Sequence, residues 1–326
     1  MTNNTIFRCP NCRGSLIHLG EHVACVPCGL NYLVRDGIPI LLLEEAEGQY
    51  GDKGIDYTIT IHKQEVKDGY SHVAKCIEQS GIQDNVYFLN LGYVSDGSPQ
   101  YAVRDVPLTA INKNSVKLFL ETTGDYNFNG KDLLEVGCGR GGNLYTIHQY
   151  YETGISTGID LCMANIKFCQ SSLAGSNISF AVADAEKMPF ADNSFDVIVN
   201  IESSSAYTDI KSFYHNVHRV LRTGGFFLYA DVMENSIFDS NIKYLQSLGM
   251  EQIRYTDITM NVLLSCYQEY RKKILAYKEA EIFARKEELE DFIGMPGSKI
   301  YNSMKSGRKT YRIYHFRKRT GGKGYE

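Results

Sequence analysis

Leu133-Leu134-Glu135-Val136-Gly137-Cys138-Gly139-Arg140-Gly141-Gly142-Asn143 is the stretch on which the reading turns. A short, mostly apolar run ends in glycines and leads into residues at helical spacing. That is the form a buried strand takes when it turns sharply into a helix, with a ligand approaching the backbone at the turn. Gly137, Gly139 and Gly142 satisfy G-x-G-x-x-G, a pattern that carries little by itself. Asp160 lies 23 residues beyond Gly137 and closes the next strand-like run. A carboxylate there is placed to accept hydrogen bonds from both hydroxyls of a ribose. Asp184 closes the run after that, before Ala185.

Outward from this stretch, strand-like and helical segments alternate. Apolar runs end near 160, 184 and 200, and a helix with Asp209 as its N-cap leads to a further run over 225–232. Near-continuous apolar runs separated by helices predict an α/β fold, a doubly wound and mostly parallel sheet with helices on both faces. Beyond 234 the pattern predicts a helix over about 235–247, a strand over about 251–259, a long helical stretch over 260–293 and a last strand near 309–318. Alternation in that last strand sets Tyr311, Ile313 and His315 on one face and Arg312, Tyr314 and Phe316 on the other. The 260–293 stretch interrupts the sheet before its final strand and is expected to form a helical lid. The whole is expected to be a seven-stranded sheet. Three units are predicted: 1–46, a polar linker with one short helix over 47–85, and 86–326.

The composition fits this. The chain has 326 residues, 43% hydrophobic and 22% charged, with only 7 prolines, which excludes wholesale disorder and collagen-like repeats. No apolar run approaches the roughly 18 residues of a membrane helix. The first residues lack an apolar signal core, so a cytoplasmic protein is expected. Residues 271–326 hold 15 Lys/Arg against 7 Asp/Glu, leaving 19 against 31 elsewhere. Such a basic end attracts anionic ligands or nucleic acid, or is simply a solvated face.

Four of the nine cysteines form two knuckles, Cys9-Pro-Asn-Cys12 and Cys25-Val-Pro-Cys28, twelve residues apart. That spacing predicts a tetrahedral four-thiolate zinc site, with a pair of redox dithiols as the alternative. Four thiolates leave no open position, so the metal would be structural. A module of about 46 residues builds little core unaided, and a structural zinc supplies on the order of 10 kcal/mol of folding free energy. The knuckles, with the closing run Tyr32-Leu-Val-Arg-Asp-Gly37-Ile-Pro39-Ile-Leu-Leu-Leu43, resemble the small zinc-binding activator of eukaryotic methyltransferases. The resemblance implies a folding or docking role.

The central constellation resembles the class I S-adenosylmethionine-dependent methyltransferases. Its carriers are Glu135, the Gly137-x-Gly139-x-Gly141 loop, Asp160-Leu161, Asp184-Ala185 followed by Met188-Pro189-Phe190, Ser194-Phe195-Asp196-Val197 and Arg219-Val220-Leu221-Arg222-x-Gly224-Gly225. The resemblance implies that Glu135 acts near the methionine amino group through the loop, that Gly137, Gly139 and Gly141 admit the cofactor to the backbone, and that Asp160 binds ribose. It implies that Asp184 accepts from the adenine amine with Ala185 facing the ring, and that Asn200 lies under the sulfonium. Tyr87-Phe88-Leu89-Asn90-Leu91-Gly92-Tyr93 resembles a segment in which a tyrosine, here Tyr93, closes over the cofactor. A pocket of carboxylates and carbonyls suits a cation, whereas a dinucleotide would call for phosphate-binding donors.

The 86–319 span is similar to bacterial O-methyltransferases of polyketide and lipid natural products, the phthiotriolone ketide type. The implied acceptor is a hydroxyl or enol on a small molecule. Such enzymes often carry His where this chain has Ser205, which leaves Glu202 and Asp231 as the acidic candidates for the base that takes the acceptor proton. Two other readings stay open. An rRNA or tRNA base methyltransferase also joins a zinc module to this fold, and residues 299–323 hold nine Lys/Arg and no acid. A protein that binds the cofactor and methylates nothing is the other, against which the intact loop, Asp160 and Asp184 speak.

Overall fold

The computed structural model describes residues 6–48, 57–79, 81, 83–97, 112–173, 175, 177–278 and 286–320. The centre is a run of parallel strands: β5 (Leu133–Val136), β6 (Ser156–Asp160), β7 (Ile178–Ala183), β8 (Phe195–Ile201) and β9 (Leu221–Glu234). Two further strands, β10 (Met250–Asp257) and β11 (Lys309–Lys318), are antiparallel, with β11 inserted between β9 and β10. The order across this part is β7-β6-β5-β8-β9-β11-β10. The chain therefore leaves β5 in one direction and returns to its other side at β8. That reversal opens a crevice at the C-terminal ends of the strands.

Side chains of β5 and β8 alternate between two cores. Leu133, Val197 and Val199 face a layer with α2 (Lys113–Thr123), α3 (Gly142–Tyr150) and α4 (Met163–Ser172). Leu134, Val136 and Ile198 face Phe213 and Val217 of α5 (Ile210–Val220) and Phe238 and Leu245 of α6 (Asn235–Ser247). The last strand alternates as its sequence predicts: Tyr311 and Ile313 join the first core, Tyr314 and Phe316 the second.

The expectation of seven strands is corrected, because among the described residues the sheet has eleven. The N-terminal hairpins β1 (Leu16–Leu19), β2 (His22–Cys25), β3 (Leu30–Arg35) and β4 (Ile38–Leu41) continue it. β4 runs parallel to β7, Ile40 opposite Val182 and Leu41 opposite Ala183. The free edge of β7 is thereby paired, and Ile38, Ile40, Leu41 and Leu42 are buried. Parallel and antiparallel pairings come out balanced.

The short helix expected within 47–85 is also longer than predicted: α1 spans Tyr57–Gln79. The long helical stretch expected over 260–293 is seen as α7 (Thr259–Lys278) and α8 (Lys286–Phe292), with α9 (Lys299–Lys305) following; its middle, 279–285, lies outside the described residues. No described helix is long and apolar enough to cross a membrane.

Candidate active site

At the C-terminal ends of β5 to β9 lies a cavity of about 280 Å³. β5 delivers Glu135 to it, 2% exposed, with Oε1 accepting from Asn143 Nδ2 at 2.7 Å. Removal of water pushes the Glu135 carboxyl up to about 8. After Val136 the chain turns through Gly137 (φ +67°) and Gly139 (φ +51°). A Cβ on Gly137 would stand 2.0 Å from Ser203 Oγ, whereas one on Gly139 would meet only Leu89 Cδ1 at 4.0 Å. The first glycine is thus demanded by crowding as well as by φ, the second by φ alone, and the space over Gly139 is left to a ligand. Arg140 turns inward, its Nε donating to Val86 O at 2.6 Å, and ties the 86–91 segment over the loop.

β6 and β7 bring two carboxylates to the same wall. Asp160 Oδ2 accepts from Gly139 N at 2.9 Å and Oδ1 from Cys162 N at 2.8 Å, so it braces the glycine loop while facing the cavity; burial raises its pKa. Asp184 Oδ1 accepts from Glu186 N at 2.8 Å. Its Oδ2 accepts from Lys63 Nζ of α1 at 2.7 Å, and the same ammonium sits 2.5 Å from Glu186 Oε2. Desolvation lowers the Lys63 pKa, but the two carboxylates outweigh it and the net shift is upward.

β8 and β9 supply the floor. Glu202, directly after β8, has φ +50°. Leu91 N donates to both its oxygens, at 2.9 and 3.1 Å, and Tyr311 OH donates to Oε1 at 2.9 Å. Loss of water pushes its carboxyl up to about 7, against the opposing pull of those donors. Asp231, fully buried on β9, is more heavily engaged: Oδ2 accepts from Ser204 Oγ at 2.6 Å and Ser205 N at 3.0 Å, Oδ1 from Val232 N at 2.8 Å. Burial raises its pKa as well.

The cavity brings together Glu135, Gly137, Gly139, Asp160, Leu161, Asp184, Ala185, Glu202 and Asp231. Three expected residues fall outside its lining. Tyr93 does not close over it: the side chain is 4% exposed in the first core, and Tyr87 to Leu91 line the cavity instead. Gly141 caps α3 and packs on Leu173 and Cys169, so its φ of +76° serves the turn. Asn200 is fully buried behind the lining, its Nδ2 donating to Val136 O at 2.9 Å and to Ser203 Oγ and Tyr207 OH at 3.2 Å. Sequence reasoning missed Lys63 and Tyr70. Both lie on α1, and their seven-residue spacing, with Val66 between, was the available signal.

A cationic amino-acid cofactor can be tested against these atoms. Glu135 Oε2, Asn143 Oδ1 and Asn200 Oδ1 are buried acceptors without a donor partner. Glu135 and Asn143 line the cavity, so two open acceptors are placed where an ammonium group fits.

In the N-terminal hairpins, the sulfurs of Cys9, Cys12, Cys25 and Cys28 lie within 4.8 Å of one another. Cys12 and Cys25 are 3.4 Å apart, and Tyr32 OH stands 3.2 Å from Cys9 Sγ. Four converging soft ligands fit one tetrahedral ion.

Residues 134–229 match the methyltransferase domain family, the segment from β5 to β9 that builds the crevice. Strand order, loop and match together make this an S-adenosylmethionine-dependent methyltransferase. The chain is 32% identical over 239 residues to phthiotriol/phenolphthiotriol dimycocerosates methyltransferase of Mycobacterium tuberculosis, covering 72% of this chain and 86% of that one. It is 29% identical over 245 residues to a fatty-acid O-methyltransferase of Mycolicibacterium smegmatis, covering 72% and 84%. Among solved structures, the [4+2]-cyclase SpnF shares the fold at a TM-score of 0.62 with 16% identity, over 79% of this chain and 97% of that one. The chain belongs to the methyltransferase family that includes the mycobacterial phthiotriol/phenolphthiotriol enzymes.

Proposed function

We propose that the protein methylates an oxygen, a hydroxyl or enol, of a small apolar natural product of the polyketide or lipid kind, with Glu202 as the base. S-adenosylmethionine, when bound, supplies an electrophilic methyl group. Asp160 would hold the ribose hydroxyls, Asp184 and the Ala185 amide the adenine edge, and Glu135 with Asn143 the amino group. Glu202 lines the cavity and would accept the acceptor's proton as the oxygen attacks. Asp231, which accepts from Ser204 Oγ and Ser205 N, would brace the Ser204–Ser205 turn.

The observation that carries this reading is Glu202 itself. A carboxylate is held at a strained φ on the cavity floor, with its pKa brought near neutrality. The mycobacterial relatives named for lipid acceptors favour a small molecule over RNA. Two members of the basic run near the C-terminus are also withdrawn from solvent. Arg312 pairs with Asp239 at 2.7 Å, and Lys318 Nζ donates to His218 O and Leu221 O, both residues being buried. Neither is available to phosphate.

We further propose that the four cysteines hold a structural zinc, and that residues 1–46, 47–85 and 86–326 act as ribbon, cover and catalytic unit. Purified protein incubated with tritiated donor and a panel of hydroxylated ketides and lipids is expected to label at least one acceptor. No incorporation across the panel, by protein shown to bind the donor, would contradict the proposal.

A further inference from the structure

A second chamber of about 730 Å³ adjoins the first. The two share Val66 and Tyr70 of α1, Ala206, Asp291 and Phe292 of α8, and Ile300 of α9 as common wall. The apolar part of the lining is Val66, Tyr70, Val73, Ala206, Phe292 and Ile300, most of it in that common wall, and Gly69 lies beside it. Gly69 sits within α1, where glycine costs about 1 kcal/mol against alanine. A Cβ there would meet nothing within 4 Å, so a larger side chain at Gly69 has open space to occupy beside the chamber. At the far side stand three cations, Lys299, Arg308 and Lys309, beside Ser303. Arg308 Nη2 donates to Ser303 Oγ at 2.7 Å. Among the described residues, none of the three has a carboxylate within ion-pair distance. Two carboxylates also line the chamber. Asp291 Oδ1 is engaged by Ile300 N at 3.0 Å, and Glu288 is exposed on α8.

We propose that this chamber takes the apolar body of the acceptor and that Lys299, Arg308 and Lys309 bind an anionic group at its far end, remote from the oxygen methylated. The substrate class is then an anionic amphiphile. This rests on the methyltransferase reading of the adjoining cavity. An apolar channel alone would accept any chain that fits. Three cations at its end, with no carboxylate in ion-pair distance among the described residues, add a preference that a neutral lipid cannot satisfy. A carboxylate of a free acid and a phosphate of a thioester carrier offer the same chemistry.

The test uses full-length, zinc-loaded protein saturated with the demethylated cofactor. Four matched phenols are titrated by calorimetry, each with an eight-carbon chain ending in a carboxylate, its methyl ester, a trimethylammonium group or the coenzyme A thioester. The carboxylate or the thioester is expected to bind about tenfold more tightly than the ester, with the ammonium weakest. Which of the two wins identifies the source of the anion. In the Lys299→Ala/Lys309→Ala protein the preference is expected to fall below about threefold. In Gly69→Leu, which raises helix propensity, all four are expected to weaken together while a short phenol does not. Equal binding of the four, binding of none, or a preference that survives the double substitution overturns the proposal. Turnover with the tritiated donor is scored separately. Charge-selective binding without methylation would refute the proposed function and leave this site standing.

Discussion

At Glu202 the backbone lies in the left-handed region, which costs a non-glycine residue on the order of 1 kcal/mol. The cost is met because the carboxylate caps Leu91 N and receives Tyr311 OH, so three segments of the chain agree on its position. As a base it acts deprotonated. With its pKa raised to about 7, kcat is expected to climb as pH rises through 7. Glu202→Gln should lower kcat roughly 100-fold or more and abolish that climb. A variant that keeps the wild-type profile would exclude Glu202. Glu135 yields a stability prediction of definite sign. Its folded pKa, about 8, is above the value near 4.3 of an unfolded chain, so its contribution is fully present below about 4.3 and is lost as pH rises through 8. Glu135→Gln should therefore raise Tm relative to wild type at pH 9 and change it little at pH 4, read by scanning calorimetry. These acidic residues were legible in the sequence because each follows an apolar run, and such runs mark strand ends. Tyr93 was not, because which aromatic of 87–93 faces the cavity depends on the path of a segment without regular structure.

At the scale of elements, two features escaped the sequence for different reasons. α1 was read as a short helix because its charges and Gly69 mask an apolar stripe, yet Val66, Tyr70, Val73 and Ile77 recur at helical spacing. The pairing of β4 with β7 had no local signal at all, since Ile40 and its partner Val182 are 142 positions apart and nothing in either strand names the other. That pairing sets the N-terminal hairpins against the strand that leads to Asp184. Asp184 directly follows β7, and Phe7 bridges to Phe190 while Arg8 N donates to Pro189 O at 2.7 Å. Mass spectrometry under native conditions is expected to find one zinc per chain. Cys25→Ser should lose it and weaken affinity for the demethylated cofactor by about tenfold, as β4 no longer steadies the strand that carries Asp184. Metal loss with cofactor affinity unchanged would separate ribbon from site.

Over the whole molecule, one mixed sheet of eleven strands does two things. Its parallel centre reverses direction between β5 and β8 and so opens a crevice, and its two ends are closed by antiparallel strands. Carboxylates gather at that crevice because five strands finish there, and helix α1 brings Lys63 to two of them. The [4+2]-cyclase SpnF shares this architecture, so the fold alone does not fix the reaction, and the side chains at the strand ends must. The donor site is therefore what decides the activity. The direct measurement is calorimetric titration of zinc-loaded protein with the demethylated cofactor, for wild type and Asp160→Ala. One site per chain is expected, weakened at least about tenfold by the substitution. Absence of any heat of association in folded wild-type protein, or an affinity indifferent to Asp160, would contradict it.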